Sequence, residues 1–405
     1  MENFSIENGF RAEVRRWLAA HAPIHELPAA DRLDDADMVA RGRAWQAELA
    51  RGGYAGMLTP TVLGGRGGTM SEAIMFGEEE ARYRLPKGPY VGIGLAMALP
   101  VIEKHGSAEQ IERFLRPTLR GELTWCQLFS EPAAGSDLAA LRTRAVRDGS
   151  DGDGDWIVNG QKVWSSWAHH ADWGILIART DPTLPKHKGL TFFVVDMKTP
   201  GIDIRPIRQM SGLSDFNETF LTDVRIPDTD RIGAIGEGWA CAMTTLTGER
   251  INQSGESGDE GIAGLIHYAA ATPRRAGSAL DSAAVRLALA SAYAEEQAER
   301  HYQARLRAMV ARGEEPGAAG AIVKLAYTRR YQTSAGLALE LRGPAGIASA
   351  TGDVATRKIQ DDYIWSAALR IAGGADEVLR NQLAERMLDM PGEIRADRNV
   401  PFDQS

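Results

Sequence analysis

Apolar residues recur at helical spacing through the first part of the chain. Phe10, Val14 and Leu18 stand four residues apart with Arg11, Arg15 and Arg16 on other faces, which predicts an amphipathic helix. Ser71–Tyr83, with Ile74, Met75 and Ala81 among glutamates, predicts another. Pro60 and the cluster Gly64-Gly65-Arg66-Gly67-Gly68 punctuate a loop between them. Ser107 followed by Gln110 has the capping-box spacing and opens a further helix. At about Leu123 the texture changes. Trp156–Asn159, Trp173–Thr180, Leu190–Asp196 and Glu218–Val224 are short and rich in β-branched or aromatic residues. Turns at Asp151–Gly154, Asp181–Lys188 and Pro200–Gly201 separate them, as in an antiparallel β unit. From about Glu237 the helical period returns, with Val285, Leu289 and Tyr293 four residues apart in a helix over 283–310. A Gly/Pro connection at 313–320 leads to helices over 321–341 and 375–388, a pattern suited to helices packed around a core. The tail from Pro391 is turn-rich and is expected to wrap the surface or a neighbouring subunit.

The order is therefore α, then β, then α: an α+β fold with units at 1–122, 123–235 and 236–405. A chain of 405 residues favours two or three such units, and 44% hydrophobic with 25% charged residues is ordinary for a globular enzyme. The net charge of −8 argues against a nucleic acid or an anionic membrane as partner. Only Cys126 and Cys241 are present, so no disulfide framework is needed and a reducing compartment fits. The N-terminal residues lack a basic region followed by an apolar run, and no apolar stretch is long enough to span a bilayer. A cytoplasmic location is the expectation. The Gly/Asp stretch around Asp153 reads as a hairpin tip, since no glutamate closes it as a calcium loop requires. His169 and His170 are adjacent; on an extended chain their side chains point apart, which argues against a metal pair.

Two segments carry the chemistry. Trp125–Asp137 runs from a β-prone stretch into Glu131-Pro132-Ala133-Ala134-Gly135-Ser136, where proline and glycine end the strand in a turn rich in hydroxyls and amides. Gly160-Gln161-Lys162-Val163-Trp164-Ser165-Ser166 follows. No G-x-G-x-x-G fingerprint is present. Together the two segments resemble the flavin-binding strands of the acyl-CoA dehydrogenase family, and the α–β–α order resembles that family over almost the whole chain. The resemblance implies a helical first domain, an antiparallel β domain and a C-terminal four-helix bundle, with FAD as cofactor. It implies contacts to the flavin from Gln127, Phe129, Ser130, Gly135 and Ser136. Trp164 matches the indole that flanks the ring, Ser166 matches the hydroxyl residue near N5, and Ser165 lies between them. Gly343 and Gly346 match the turn that approaches the flavin from a neighbouring subunit, with Pro344 in place of one glycine. The family's Arg-x-x-Phe-Gly segment is not recognisable, although Pro273-Arg274-Arg275-Ala276-Gly277 stands nearby. Asn217-Glu218 and Arg225-Ile226-Pro227 resemble structural parts of the β domain.

The family reaction is α,β-desaturation of an acyl-CoA thioester, for which a buried glutamate makes a suitable base. Most members carry it before a Gly-Thr pair late in the bundle; aligning Glu377 and Arg380 with the run that follows puts Gly373 there. A minority carries a Glu-Arg pair at the start of the bundle, and this chain has Glu249-Arg250 at that place. The resemblance thus assigns the base to Glu249, with Arg250 and Ser136 on the substrate side, and implies an electron-transfer flavoprotein as acceptor. Branched or steroid acyl groups are compatible with such a base. Two alternatives stay open: a partner subunit of a hetero-oligomeric dehydrogenase, and a related flavin oxidase or monooxygenase. Dimers or tetramers, of one chain or with a paralogue, are implied in either case.

Overall fold

The chain is described by a computed structural model over residues 2–404, apart from 28–34, 89, 150–153, 253–260, 276, 315–316, 349–352, 395–396 and 398. At 2–8, 35, 91, 247–252, 310 and 311 the backbone alone is described. The first region holds α1 (Glu2–His21), α2 (Asp35–Arg51), α3 (Met70–Glu80), a π-helix (Tyr90–Ala98), α4 (Leu99–His105) and α5 (Ala108–Leu119). The capping box expected at Ser107 is present: its hydroxyl accepts from the Gln110 amide and Gln110 accepts from the Ser107 amide. The Gln110 side chain also donates to the carbonyls of Thr229 and Arg231, tying this helix to the next region. Phe10, Val14 and Leu18 are buried, as their spacing requires.

The middle region is an eight-stranded sheet. Its strands are β1 (Trp125–Leu128), β2 (Arg144–Arg147), β3 (Trp156–Lys162), β4 (Trp173–Arg179), β5 (Leu190–Asp196), β6 (Ile202–Pro206), β7 (Asn217–Ile226) and β8 (Arg231–Ile232). The order is β6-β7-β3-β2-β4-β5-β8, with β1 beside β4. Most pairs are antiparallel, but β1 runs parallel to β4, and β2 meets β4 in parallel at Arg144 and Arg179. The long crossover from 129 to 172 makes that parallel pairing possible, since parallel strands need a dozen or more connecting residues. Residues 150–153 of the expected hairpin tip, Asp153 included, lie outside the described residues; the Asp148 amide closes the β2–β3 hairpin on the Asp155 carbonyl.

Alternate residues of β4 and β5 feed two different cores. Ile175, Ile177, Phe192 and Val194 join the N-terminal helices through Ile102, Phe114 and Trp125. Leu176, Ala178, Phe193 and Val195 join Val158, Leu221 and Val224, where the sheet folds over itself. Strands buried on both faces read as nearly continuous apolar runs, which is why Leu190–Val195 shows no alternation.

The last region holds α6 (Gly238–Asn252), α7 (Gly261–Ala271), α8 (Ala283–Ala311), α9 (Gly320–Arg342), α10 (Pro344–Ile347), α11 (Val354–Leu369) and α12 (Asp376–Met387). Helices α7, α8, α11 and α12 pack on α9, while α6 leans on the π-helix, α4 and β5. Tyr293, placed on the apolar face of α8 by its spacing, is half exposed here, whereas Leu289 is buried. The tail returns to the middle region: Pro401 bridges to Pro185, and the Phe402 amide donates to the Leu184 carbonyl at 3.0 Å. Among the described residues no helix is long and apolar enough to cross a membrane.

Candidate active site

The strand β1 delivers Phe129 into the core, where its ring meets Phe192 edge-on at 5.7 Å. Glu131 and Ala134 then exchange two backbone hydrogen bonds of 3.0 Å, making the tight turn that Pro132 and the small residues predict. The Glu131 carboxylate is turned inward and accepts from the amides of Arg142 (2.6 Å) and Thr143 (2.8 Å) and from the Lys162 ammonium (3.0 Å). Lys162 is fully buried and also donates to the Phe129 carbonyl at 3.0 Å. Burial pushes its ammonium down to about 8, with Glu131 opposing the fall. Burial acts to raise Glu131, yet Lys162 and the two amides hold its carboxyl below the ordinary range. This buried pair anchors the turn from beneath. Above it, Gly135 and Ser136 are exposed, and among the described residues nothing accepts from their amides. Gln127 and Ser130 are half-buried, and the Ser130 carbonyl accepts from the Val163 amide at 2.9 Å.

That bond leads to the second segment. Trp164 has φ +62° and Trp167 φ +60°, a left-handed backbone that costs a bulky residue about 1–3 kcal/mol and persists only when surroundings hold it. Here they do. The Ser165 amide donates to the Asn217 carbonyl (3.0 Å), the Asn217 amide to Ser165 (3.1 Å), and the Trp167 amide to Asp215 (2.8 Å). The Asn217 side chain adds a bond of 2.9 Å to the Ser165 carbonyl. The outcome is an indole at Trp164 that stands 58% exposed beside a fully buried Ser165 and a half-buried Ser166. The hydroxyls of Ser165 and Thr219 and the amide oxygen of Asn217 are buried with no hydrogen-bond partner in the structure. Such orphans are rare in folded proteins and mark a place where a further polar partner fits. An exposed indole, free loop amides and hydroxyls together suit a flat heterocycle with a polar edge.

The helical side contributes a cleft of about 520 Å³, lined by Met210 and Ser211 of the β6–β7 loop and by Gly346, Ile347, Arg357 and Tyr363. Gly343 has φ +63°, and the Gly346 carbonyl accepts from Gln360 at 2.7 Å. Gly346 therefore lines the cleft, with Gly343 at the turn that leads into it, and the β6–β7 loop joins it to the Trp164 loop through Phe216. The backbone of Glu249 and Arg250 lies in α6; their side chains lie outside the described residues. Gly373 and Gly374 have φ of +64° and +99°, in a loop pinned by Lys324, which donates to the Gly374 carbonyl (2.9 Å) and to Asp376 (3.1 Å). Arg274 is committed elsewhere, donating to the Leu341 carbonyl at 2.8 Å. The His169 and His170 rings lie 4.1 Å apart, since the segment is a 3-10 turn rather than an extended strand; the reason given for their separation does not hold.

The chain matches the description "Acyl-CoA dehydrogenase, N-terminal domain" over residues 7–122, the middle domain over 126–224 and the C-terminal domain over 236–388. It belongs to the acyl-CoA dehydrogenase family. Members of this family are FAD-dependent oxidoreductases acting on CH–CH bonds. Acyl-CoA dehydrogenase IpdE1 of Mycolicibacterium smegmatis is 36% identical over 95% of this chain and 98% of its own length. Acyl-CoA dehydrogenase FadE34 of Mycobacterium tuberculosis is 41% identical over 81% of this chain, which spans only 43% of that longer protein. Among solved structures, a steroid acyl-CoA dehydrogenase, Tcur3481–Tcur3483, matches with a TM-score of 0.81 at 30% identity, over 96% of this chain and 98% of that one. The ChsE4–ChsE5 complex of Mycobacterium tuberculosis matches with a TM-score of 0.78 at 28% identity, again over 96% and 98%.

Sequence reasoning missed the inward-turned Glu131–Lys162 pair and the aromatic neighbours of Trp164. The available signal for the first was a lysine on the inward phase of β3, in step with Trp156 and Val158.

Proposed function

We propose that this member of the family desaturates an acyl-CoA thioester between its α and β carbons. Glu249 takes the α-proton, and Arg250 supports the substrate side together with Ser136. Gln127, Phe129, Ser130, Gly135 and Ser136 hold the cofactor from the first loop, Trp164, Ser165 and Ser166 from the second, and Gly343 and Gly346 from the helical side. FAD, when bound, supplies the acceptor for the β-hydrogen, which leaves with its electron pair. The electrons pass on to an electron-transfer flavoprotein. The domain limits that go with this reading are 1–122, 123–235 and 236–405.

The observation that carries the reading is the exposed Trp164 in a left-handed turn, joined through the Val163–Ser130 bond to a loop whose Gly135 and Ser136 amides have no acceptor among the described residues. Support for Glu249 comes from the other candidate place. Gly373 has no side chain, and its φ of +64° is one that L side chains rarely adopt. Helix α6 instead packs against the π-helix, α4 and β5, whose buried neighbours are apolar. Burial of Glu249 on substrate binding raises its basicity toward working pH. For substrate we favour a bulky CoA ester such as a steroid side-chain thioester, by analogy with the steroid enzyme named above. The deciding variant is Glu249→Gln, which keeps FAD and lowers turnover at least about a hundredfold; unchanged turnover refutes the assignment. A panel of acyl-CoAs added anaerobically identifies the substrate as the one that bleaches the oxidised flavin bands.

A second reading draws on the two-component neighbours and on the scant apolar core of the helical region: the active species includes a paralogous subunit. A purified chain that takes up FAD only after mixing with that subunit supports it.

A further inference from the structure

The indole of Trp164 is held by more than its own loop. The hydrogen bonds at Val163, Ser165 and Trp167 restrain the main chain but stop there. An exposed tryptophan on a fixed backbone still has several staggered side-chain positions open to it. Among the described residues the one ring it meets is Phe216, with centroids 5.9 Å apart and planes at 88°. An edge-to-face pair selects direction as well as distance, because the positive ring edge seeks the negative face. Phe216 is half-buried, and it lies almost flat against Trp365 of α11, with centroids 6.1 Å apart and planes at 14°. Its neighbour Asn217 is the residue whose side chain and main chain both bond Ser165. One short segment, 215–217, therefore holds the backbone of the Trp164 loop and its ring together.

We propose that Phe216 and Trp365 are positioning residues that set the direction of the Trp164 indole, so that the seat of α11 governs the surface offered to the flavin. This rests on the reading of Trp164 as the flavin-flanking residue. The ladder Trp164–Phe216–Trp365 crosses from the sheet to the helical region. A shift of α11 tilts Phe216, and the edge contact passes that tilt to the indole. Ordinary packing glue would act differently: loss of the Trp365 ring would lower stability and leave the surroundings of Trp164 as they were.

The test uses the full-length flavoprotein in the oligomer in which it is purified, labelled with 5-fluorotryptophan. The Trp164 fluorine resonance is the one missing from Trp164→Phe. Phe216→Leu and Trp365→Leu keep apolar bulk and remove the ring. Each is expected to shift the Trp164 resonance and to weaken FAD binding by about two- to tenfold, the range an aromatic pair supplies. Trp365→Phe, which keeps a ring, is expected to restore both. Because Phe216 touches the indole directly, the deciding variant is Trp365→Leu: a Trp164 resonance unmoved there overturns the proposal, whatever happens to thermal stability. If Trp164→Phe itself leaves FAD affinity and the flavin absorption unchanged, the flavin-flanking reading fails instead, and the resonance shifts still decide whether the ladder aims the indole.

Discussion

The body formed by the N-terminal helices and the sheet is built differently from the C-terminal helices. In the body one continuous apolar cluster runs from Phe10 to Ala242, and a second fills the folded-over sheet. Among the described residues of the helical region, the corresponding cluster holds only Ala269, Ala279, Leu289 and Leu341 as buried members. Its interior is polar instead. Arg330 pairs with Glu299 at 3.0 Å and Glu296 at 3.8 Å, and Asp376 takes Lys324 and Arg370, with all but Arg370 of these nearly inaccessible to water. Meanwhile Leu287, Ile347, Ile371 and Leu388 stand exposed in the same region. Apolar burial stabilises wherever it occurs, whereas a buried ion pair roughly offsets its own desolvation. The body therefore has the means to hold itself together, and the helical region draws more on exact charge pairing and on surfaces it leaves uncovered.

The largest expected effect tests the body. Phe192→Ala should cost about 4 kcal/mol in urea unfolding, since it opens a cavity among fully buried rings. Leu289→Ala should cost only about 2 kcal/mol, at the low end for such truncations, because its surroundings can relax. Equal costs would break the comparison. In the helical region the sensitive change is a charge: Asp376→Ala leaves Lys324 buried without its carboxylate and should cost about 3 kcal/mol. The same variant frees the Gly373–Gly374 loop that Lys324 helps to pin, so faster amide exchange there would sharpen the point.

Acid separates two carboxyls by sign, Asp228 in the body and Glu299 in the helical region. The Arg231 guanidinium, with Trp156 and Arg147 adding to it, holds the Asp228 carboxyl down at about 2. Its contribution is present above an unfolded value near 3.8 and is lost as pH falls toward 2. Allowing for its partial exposure this amounts to about 1 kcal/mol, and Asp228→Asn should flatten the acid limb of the unfolding midpoint by that much. Glu299 runs the other way. Burial raises it against the pull of Arg330, so the folded chain binds its proton first and stability falls as pH rises through the folded value. The smallest effect concerns the uncovered surface. Leu287→Ser should alter unfolding of the isolated chain by less than about 0.5 kcal/mol. A change in sedimentation with that variant would show that α8 contributes to association.

Much of this is legible in the sequence alone. The four-residue spacing of Phe10, Val14 and Leu18, the box at Ser107 and Gln110, and the β-rich runs at 173–180 and 190–196 all appear as elements close to those limits. So is the chemistry-bearing loop, because Pro132 and Gly135 end a strand whatever surrounds them. Other features are not. Helix α11 carries charges around much of its circumference, Val354-Ala355-Thr356-Arg357-Lys358 onward, and its period hides it. The parallel partnership of β1 with β4 depends on a crossover, which a local pattern does not encode. His169 and His170 face one another because the chain turns there. The exposure of Tyr293 reflects which neighbours α8 acquires rather than its own spacing.

By itself, then, the sequence determined many of the helices and strands, where the strand after Trp125 must break, and that Gly373 has no carboxylate to offer. These follow from side-chain period, proline and glycine, all properties of neighbours along the chain. Tertiary structure alone decided that Lys162 would reach Glu131, that Trp164 would stand in a left-handed turn held by Asn217, and that Phe216 would lie against Trp365. Each joins residues distant in the chain, and such meetings depend on how whole elements pack, because only packing brings their surfaces within contact and removes the water between them.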